Sequence, residues 1–571
     1  MKIDLLLTNG HVFNVYFKKF IRADIAISGD KFLYIGLETP PVAPAAVIDL
    51  QGRYVIPGLV DCHMHIESTM CAPHTFMNWA VKNGVTTFLA EPHEIANVFG
   101  LEGIKAMAAS MKDGPADVYI AIPSSVPSTN SSLETTGAEI NSDSVEAMLH
   151  MDKVISLGEV MNGHDLIAGP DTKTSRLVQQ VRDGQPGFSL EGHLPRFLGW
   201  DLAQILYTGV NSDHCDQTLE TIEQRISNGC FLQVQEKTVK PEFMKYLAGN
   251  DLFDHFALVT DDTMPDKFLE RGQLNFIVKK AMAAGLTPEQ AIYTATYTPA
   301  QRLGLHSKGS IAPGKTADFV ILDDPKKFTV LSTYCAGKKV YDCAAPPVPE
   351  ERDTSFPDHF YHSVHVSTLQ SRDFRINTKQ ENGTVRCRLL CVRDNTTFVD
   401  EEIVELPVKN HEILWEDSPY NLAVVFERHG KNGGRGYALV GGEAMKRGAA
   451  ATTYSHDNHN LLVIGQTKAD MAKAANTVIA RQGGYATVLN GDVAGFVPLP
   501  IAGILSDQPL DVLGKQIQKI TESLHAWGYN HPNVIMSLST LSLPVSPYFK
   551  VTDKGIIDVK NQKIVPLVVK E

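Results

Sequence analysis

The stretch VDCHMHIEST, residues 60–69, closes an apolar run with His63 and His65 and follows them with the carboxylate of Glu67. In a strand, residues i and i+2 point to the same face, so the two imidazoles can be aimed at one end of the element. The pair is compatible with a metal site, but two histidines at the end of a buried strand can also be satisfied by ordinary contacts. The runs that follow along the chain decide between these interpretations.

Apolar runs that end in polar residues recur through the next two hundred residues and alternate with helical periods. They are VTTFLAEPHE (85–94), DVYIAIPS (117–124), VISLGEV (154–160), GFSLEGH (187–193), VNSDH (210–214), CFLQVQE (230–236) and HFALVTDD (255–262). Together with the run before His63 they make eight, the number of strands that closes a barrel. The fold class predicted from this pattern is α/β, with a TIM-like (β/α)8 barrel whose chemistry lies at the carboxyl ends of its strands.

Four later strand ends carry side chains that suit divalent transition metals: Glu159, His193, His214 and Asp261. They end the fourth, fifth, sixth and eighth predicted strands. Chance convergence of six such residues on one face of a barrel is improbable. The order along the chain therefore favours a metal centre over satisfied core histidines and surface carboxylates.

A chain of 571 residues is too long for one hydrophobic core, so several domains are expected. The short strands before residue 57 resemble the later segment SIAPGKTADFVILDD (310–324), and a proline-rich, charged stretch follows near residue 350. The predicted division is a discontinuous β-sandwich domain (1–56 plus 307–345), the barrel (57–306), a linker (346–359) and a C-terminal α/β domain (360–571).

Composition excludes several classes of partner. The net charge of −13 argues against binding to a nucleic-acid polymer. No stretch approaches the length of a membrane-spanning helix, and the N-terminus lacks a signal-peptide core, so no membrane partner and a cytoplasmic location are expected. The eight cysteines form no CxxC pair, which indicates neither a disulfide framework nor a zinc ribbon.

Several blocks resemble the bacterial type of adenine deaminase, within the amidohydrolase superfamily. They are PGLVDCHMHIEST, EPHEIANVFG, SSVPS followed by LETTGAEI, LGEVMN, GYATVLNGDVAGFVPLPIAGILS and SHDNHNLLVIG. The HxH pair is common to the superfamily, whereas PHEIANV and GEVMN are more specific. The resemblance covers nearly the whole chain.

The resemblance implies a binuclear metal centre. His63, His65 and Asp261 would hold one ion, His193 and His214 the other, and Glu159 would bridge them. Two divalent ions are implied, manganese or iron in most relatives and zinc in some. A homo-oligomer is expected from the family.

The implied reaction is hydrolytic deamination of adenine to hypoxanthine and ammonia by a metal-activated hydroxide, a step of purine salvage. Asp261 would carry a proton to the leaving amine, and Glu94 would protonate ring N1; the alternative for Glu94 is a carboxylate at a helix N-terminus. Glu67 and His93 would orient ligands or make structural hydrogen bonds. Further candidates for ligand support or substrate contact are Asn162, Asp262, Ser125 and Gln273.

Some positions depart from the family pattern. Thr263, Met264, Gln273 and Asn275 stand where Arg, His, His and Asp are usual, Cys215 replaces a glutamate, and Ser125 replaces a cysteine. These departures bear on the substrate, because an unmatched buried polar group costs about 1 to 3 kcal/mol. The alternatives are therefore hydrolysis of another purine-like ring or cyclic amide or amidine, and a non-catalytic protein that binds a metal or ligand.

The C-terminal segment HDNHN has no assigned role. His456, Asp457 and His459 could form a further metal site, cap the barrel mouth, or make a locally satisfied polar turn.

Overall fold

The structure is a computed structural model that describes residues 2–39, 41–195, 197–346, 352 and 355–569. Half of the predicted linker, seven of the fourteen residues of 346–359, lies outside the described residues. Among the described helices, none is long and apolar enough to cross a membrane.

The first sheet joins the beginning of the chain to a segment almost three hundred residues later. Its eight strands are Leu5–Asn14, Lys19–Ser28, Lys31–Gly36, Val47–Asp49, Tyr54–Pro57, Phe319–Leu322, Val330–Cys335 and Lys338–Asp342. The junction is the antiparallel pair in which Val55 lies opposite Ile321. Leu7, Val12 and Phe319 are buried in one apolar cluster on this sheet. The segment between residues 57 and 319 therefore leaves this sheet and returns to it.

That intervening segment contains parallel strands, one within each of the eight predicted runs. Five form one sheet: Leu59–Met64, Val85–Ala90, Asp117–Pro123, Val154–Val160 and Ser189–Gly192. Three form another: Ser212–Asp213, Phe231–Val234 and Phe256–Leu258. The predicted mixed α/β fold with parallel strands is confirmed.

Backbone hydrogen bonds connect the two parallel sheets at both of their junctions. The amide of Asn211 donates to the carbonyl of Leu190 at 3.1 Å, and the amide of Asp261 donates to the carbonyl of His63 at 3.1 Å. The second contact brings the first and last parallel strands together at their carboxyl ends.

Helices alternate with these strands. They are Pro73–Lys82, His93–Met111, Ser142–Leu149, Gly163–Ala168, Lys173–Gly184, Gly199–Tyr207, Leu219–Ser227, Pro241–Gly249, Pro265–Arg271, Leu274–Ala283, Pro288–Thr294 and Tyr297–Arg302, with the short 3-10 helix Glu67–Thr69 after the first strand. Local sequence explains several starts, because Thr218 and Thr287 cap the backbone of the helices that follow them and Pro288 occupies a first-turn position.

The C-terminal part contains a nine-stranded sheet and a three-stranded sheet. The larger consists of Gly383–Val392, Val399–Lys409, Glu412–Ile413, Asn421–Phe426, Arg435–Gly442, Ala449–Thr452, Leu461–Gly465, Gly484–Leu489 and Asp492–Pro498; the smaller of Phe549–Thr552, Gly555–Asp558 and Lys563–Val565. The helices are Lys468–Ile479, Leu510–Ala526 and Val534–Ser539, and the 3-10 helices are Asp358–Tyr361, Ser371–Phe374 and Thr540–Ser542.

The C-terminal part packs directly on the segment with the parallel strands. Gly514, in the helix Leu510–Ala526, faces Pro265–Arg271 so closely that an added Cβ would lie 3.0 Å from the carbonyl oxygen of Pro265. Phe268 and Leu513 belong to one continuous apolar cluster. The polar end of the parallel strands is therefore covered in part by the C-terminal half of the chain.

Lys550 should make the stability of this region depend on pH. Its ammonium group is fully buried and donates to the carbonyl of Thr397 at 2.7 Å. Burial lowers its pKa from 10.5 to about 7, so the folded protein favours neutral Lys550 while the unfolded chain stays protonated up to pH 10.5. The free energy of unfolding should therefore rise with pH between 7 and 10.5.

We expect wild-type protein to gain up to about 1.4 kcal/mol per pH unit over Lys550→Met in this window. Urea unfolding of both proteins at pH 7.5, 8.5 and 9.5 measures the difference. Parallel pH profiles for the two proteins would contradict this assignment.

Candidate metal centre and active site

The side chains predicted as metal ligands lie together at the carboxyl end of the parallel strands. They are His63, His65, Glu159, His193, His214 and Asp261. Each lies within a strand or no more than three residues after one. Because parallel strands present their carboxyl ends at one face, residues far apart in sequence meet there.

His63, His65 and Asp261 form the first group. The Nε2 atoms of both histidines lie 3.5 Å from Asp261 Oδ1. Two ligand atoms bound to one ion at about 2.1 Å in tetrahedral geometry lie about 3.4 Å apart. The observed spacing therefore fits a shared divalent ion.

Glu159, His193 and His214 form the second group. Glu159 Oε2 lies 3.2 Å from His193 Nδ1 and 2.8 Å from His214 Nε2, and these two ring nitrogens are 2.9 Å apart. The other carboxylate oxygen, Oε1, lies 3.6 Å from His65 Nε2. Glu159 therefore faces both groups with different oxygens, the arrangement required of a bridging ligand.

Orphaned polar atoms support metal binding at these groups. His63 Nε2 is buried and has no hydrogen-bond partner. A buried nitrogen without a partner is costly, whereas an ion at this position would use its lone pair. Imidazole and carboxylate ligands suit divalent transition metals, so the residues present fit a divalent ion.

The two carboxylates of the centre are held in their ionised forms. Burial raises the pKa of Glu159, but the charges of His214 and His193 outweigh burial and bring it well below its ordinary value. Burial likewise opposes the charge of Asp261, and His214, His63 and His65 together lower its pKa. Both groups are therefore available as anionic ligands at neutral pH.

A layer of hydrogen bonds holds the candidate ligands in position. Gln235 Nε2 donates to Asp261 Oδ2 at 2.8 Å. Asp213, next to His214, accepts the backbone amides of Leu194 and Cys215 and pairs with the buried Arg225. Such partners orient metal ligands and limit their motion.

Three residues predicted as support or substrate contacts make hydrogen bonds to other protein groups in this structure. Gln273 is buried and donates through Nε2 to Asp61 Oδ2 at 2.8 Å. Ser125 Oγ donates to the carbonyl of Glu159 at 3.3 Å. Asn162 caps the helix Gly163–Ala168. Asp262, in contrast, is exposed beside Asp261.

The departures from the family pattern are mostly buried as well. Met264, Asn275 and Cys215 are almost inaccessible to solvent, and Asn275 Oδ1 accepts the amide of Gln273. Thr263 is partly exposed.

Glu94 lies behind Asp262 and is fully buried. Its Oε1 atom lies 3.2 Å from Ser68 Oγ and 3.1 Å from His456 Nε2, and Ser68 Oγ also makes a short hydrogen bond to Asp262 Oδ1. Glu94 Oε2 has no hydrogen-bond partner and lies 3.8 Å from His459 Nε2. Ser68 therefore joins buried Glu94 to exposed Asp262.

Burial and neighbouring charges set the protonation of this cluster. Burial raises the pKa of Glu94, but the charge and hydrogen bond of His456 outweigh it and hold the pKa below its ordinary value. Burial lowers the pKa of His456, but Glu94 raises it to about 9. Burial and the charge of Glu94 raise the pKa of Glu67 to about 8. At neutral pH Glu94 is ionised, whereas His456 and Glu67 carry protons.

Glu91 is a site residue that sequence reasoning missed. It faces His93 Nδ1 in a short contact and lies 3.6 Å from His65 Nδ1. With His65, His93 and Glu159 it forms a further group of metal-ligand atoms within 4.8 Å of one another. The signal was present in the sequence, because Glu91 lies in the polar end of the second predicted run and directly follows the strand Val85–Ala90.

Comparisons with known proteins cover both halves of the chain. The amidohydrolase family profile matches residues 54–183 and 202–340, and the adenine deaminase C-terminal domain profile matches residues 396–563.

Similar proteins match from end to end. Adenine deaminase 2 of Shouchella clausii is 46% identical, covering 100% of both chains. Adenine deaminase of Clostridium perfringens is 46% identical, covering 99% of this chain and 100% of that protein. Adenine deaminase of Lactobacillus delbrueckii subsp. bulgaricus is 40% identical, covering 99% of each. The chain belongs to the adenine deaminase family of the amidohydrolase superfamily.

Proposed function

We propose that the protein hydrolyses adenine to hypoxanthine and ammonia, as a step of purine salvage. One observation carries this proposal: two groups of metal-ligand side chains share Glu159, and Asp262 is exposed beside them. The full-length relatives named adenine deaminase indicate the substrate.

We propose that two divalent ions occupy the centre, with manganese or iron preferred and zinc also suited to these ligands. His63, His65 and Asp261 would hold one ion, His193 and His214 the other, and Glu159 both. When bound, the ions supply acidification of a water molecule and stabilisation of negative charge.

Asp261 is proposed to move the proton at the reacting carbon. Its Oδ2 accepts a hydrogen bond from Gln235, which fixes the carboxylate while Oδ1 faces the histidines. In this role Asp261 takes a proton from the attacking water and returns it to the amine that leaves C6. The leaving group then departs as neutral ammonia.

Glu94 is proposed to pass a proton toward ring N1. Glu94 cannot reach an open cavity itself, because it is fully buried. Ser68 and exposed Asp262 lie on its hydrogen-bonded path to the solvent side. Asp262 would contact the ring, while Glu67 and His93 would keep the surroundings of Glu94 fixed.

The departures from the family pattern favour adenine over another purine-like ring or cyclic amide. Met264, Gln273 and Cys215 are buried, and Gln273 binds Asp61. Substitutions in this supporting layer change how the ligands are held rather than which groups face a substrate.

We propose that the eight parallel strands close into a (β/α)8 barrel, supported by the backbone hydrogen bonds at both sheet junctions. The proposed domains are 1–56 plus 307–345, arranged as a β sandwich, then 57–306 and 360–571. A homo-oligomer that acts on a small molecule, with neither a nucleic-acid polymer nor a membrane as partner, completes the proposal; the net charge of −13 supports the exclusion of nucleic acid.

Ammonia release tests the proposed function. Purified protein loaded with Mn²⁺ is expected to release one ammonia and form one hypoxanthine for each adenine consumed. The same assay over other purines, cyclic amides and cyclic amidines identifies any preferred ring. Turnover of another ring but not adenine would overturn the substrate, and failure on every ring would favour a binding protein.

Removal of metal is expected to lower turnover by at least about 100-fold, because ligand residues alone cannot acidify water. Dialysis against a chelator, followed by metal analysis and the ammonia assay, measures the loss. Re-addition of Mn²⁺ should restore activity. Unchanged turnover in protein shown to be free of metal would refute the proposed centre.

A further inference from the structure

The segment Ser455–Asn460 of the C-terminal part, hereafter the polar loop, is buried along its whole length. Its sequence is SHDNHN, and no residue in it is more than 5% exposed. Loops of this polarity normally lie at the surface, because buried polar groups need partners. The partners of this loop lie both on the segment with the parallel strands and on the C-terminal part.

Consecutive residues of the polar loop meet consecutive residues after the second parallel strand. His456 Nε2 lies 3.1 Å from Glu94 Oε1, and Asp457 Oδ1 lies 3.6 Å from His93 Nε2. In each of these two pairs a histidine of one segment faces a carboxylate of the other. Asn460 adds a hydrogen bond to the carbonyl of Thr135 at 2.8 Å.

The polar loop is also fixed from its own side. Ser539 Oγ lies 2.6 Å from His456 Nδ1 and accepts the His456 amide at 3.1 Å. Arg428 is fully buried and donates to the carbonyls of His459, Ser363 and Ala502. His456 is therefore held with Nε2 aimed at Glu94.

The hydrogen bonds of Glu94 show which neighbour can supply it with a proton. A carboxylate accepts hydrogen bonds, so the contact at Oε1 must be donated by His456 Nε2–H. Ser68 has one hydroxyl proton but two carboxyl neighbours, Glu94 and Asp262. A carboxylate that is ionised in the resting protein can pass a proton to N1 only if a neighbour supplies one.

We propose that His456 and Glu94 act as one proton-donating pair, so that the C-terminal half of the chain completes the active site. This inference rests on the proposed deamination. His456 acts through Glu94 and is thus a positioning and proton-holding residue rather than a substrate contact.

The proton balance of the pair follows from the reaction. The Nε2–H bond of His456 breaks as an O–H bond forms on Glu94. Glu94 gives a proton to the Ser68 hydroxyl, which passes its own proton to Asp262, and Asp262 protonates N1. The attacking water loses two protons overall. One departs in ammonia by way of Asp261. The other is released to solvent, and a proton taken from solvent restores His456, so the pair is unchanged after a turnover.

Two substitutions at one position test the loss of proton supply, one with and one without a hydrogen bond to Glu94. The amide nitrogen of His456→Gln can occupy the place of Nε2 and donate to Glu94, but it cannot give up a proton. His456→Asn can reach Ser539 but not Glu94. We expect both variants to lower kcat about 10- to 100-fold with KM close to wild type, since the effect of a supporting residue is of this size. Metal content and Tm of His456→Gln should match wild type.

His362→Gln is the control. His362 also lies in the C-terminal part, but it is exposed and pairs with Asp358 at the surface. It is expected to retain most of the wild-type kcat. The inference is overturned if His456→Gln keeps wild-type kcat, if its loss appears in KM alone, or if kcat falls only in step with metal content and Tm.

An error in the proposed substrate can be distinguished from an error in the proton-donating pair. If wild-type protein releases no ammonia from adenine, the substrate is wrong, and the same three variants are compared on the ring that wild type hydrolyses. If wild type is active on adenine and His456→Gln is equally active, the proton-donating pair alone is wrong.

Discussion

Asp261→Asn is expected to lower kcat for ammonia release by about 1000-fold, since it removes a proton carrier that the reaction needs twice. Asparagine keeps the shape of the side chain and can keep one contact with Gln235, which now meets Asp261 Oδ2 at 2.8 Å. It cannot take the proton of the attacking water. Because Asp261 also faces His63 and His65, a loss of bound metal is expected as a second effect.

Steady-state ammonia release and metal analysis of the same preparation separate these two effects. Asp216→Asn serves as the control, because Asp216 is exposed and pairs with Lys240 at the surface. It is expected to behave like wild type. Turnover by Asp261→Asn at a wild-type rate would show that Asp261 is not the proton carrier.

Glu159→Gln should abolish measurable turnover and lower the metal content. Glu159 Oε2 faces His193 and His214 while Oε1 faces His65, so one carboxylate serves both groups. A neutral amide removes the negative charge between them and replaces one oxygen ligand by an NH2 group that cannot bind a cation. The four histidines would then hold divalent ions with much less charge compensation.

Metal analysis after gel filtration, with Tm and ammonia release of the same samples, measures this change. Glu146→Gln is a suitable control, because Glu146 is exposed and pairs with His150 at the surface. Wild-type metal content in Glu159→Gln would be incompatible with a bridging role.

The strands and the six ligand candidates could be predicted because two regularities reinforce each other. Apolar runs locate the parallel strands, and the architecture places the end of every such strand at one face. His214 and Asp261 were identified by position after a run, without any knowledge of their neighbours. The structure brings both to Glu159 and His63, respectively.

Depth within the site could not be predicted from residue type. Gln273 has the chemistry of a substrate contact, yet it binds Asp61 behind the ligands. Glu91 directly follows the strand Val85–Ala90, but its contacts with His65 and His93 depend on tertiary packing and not on its position in the sequence. Which layer a side chain occupies depends on tertiary packing that local patterns do not encode.

The contact of His456 with Glu94 could not be predicted from the sequence. The two residues are 362 positions apart, and their pairing requires the C-terminal part to pack over the parallel strands. The HDNHN segment contains side chains that can bind metals or carry protons, but no sequence pattern indicated which residues they contact.

The pairing of Tyr54–Pro57 with Phe319–Leu322 has a consequence for biosynthesis. During translation at roughly 5 to 20 residues per second, the earlier strand waits on the order of tens of seconds for its neighbour to be made. Closing a loop of this length costs about 5 kcal/mol of chain entropy, which is recovered only when the intervening segment has compacted. The first sheet can therefore be completed only after residue 322 has been made. A chain released before residue 319 would expose the unpaired apolar edge of Tyr54–Pro57, and exposed edges of this kind promote aggregation.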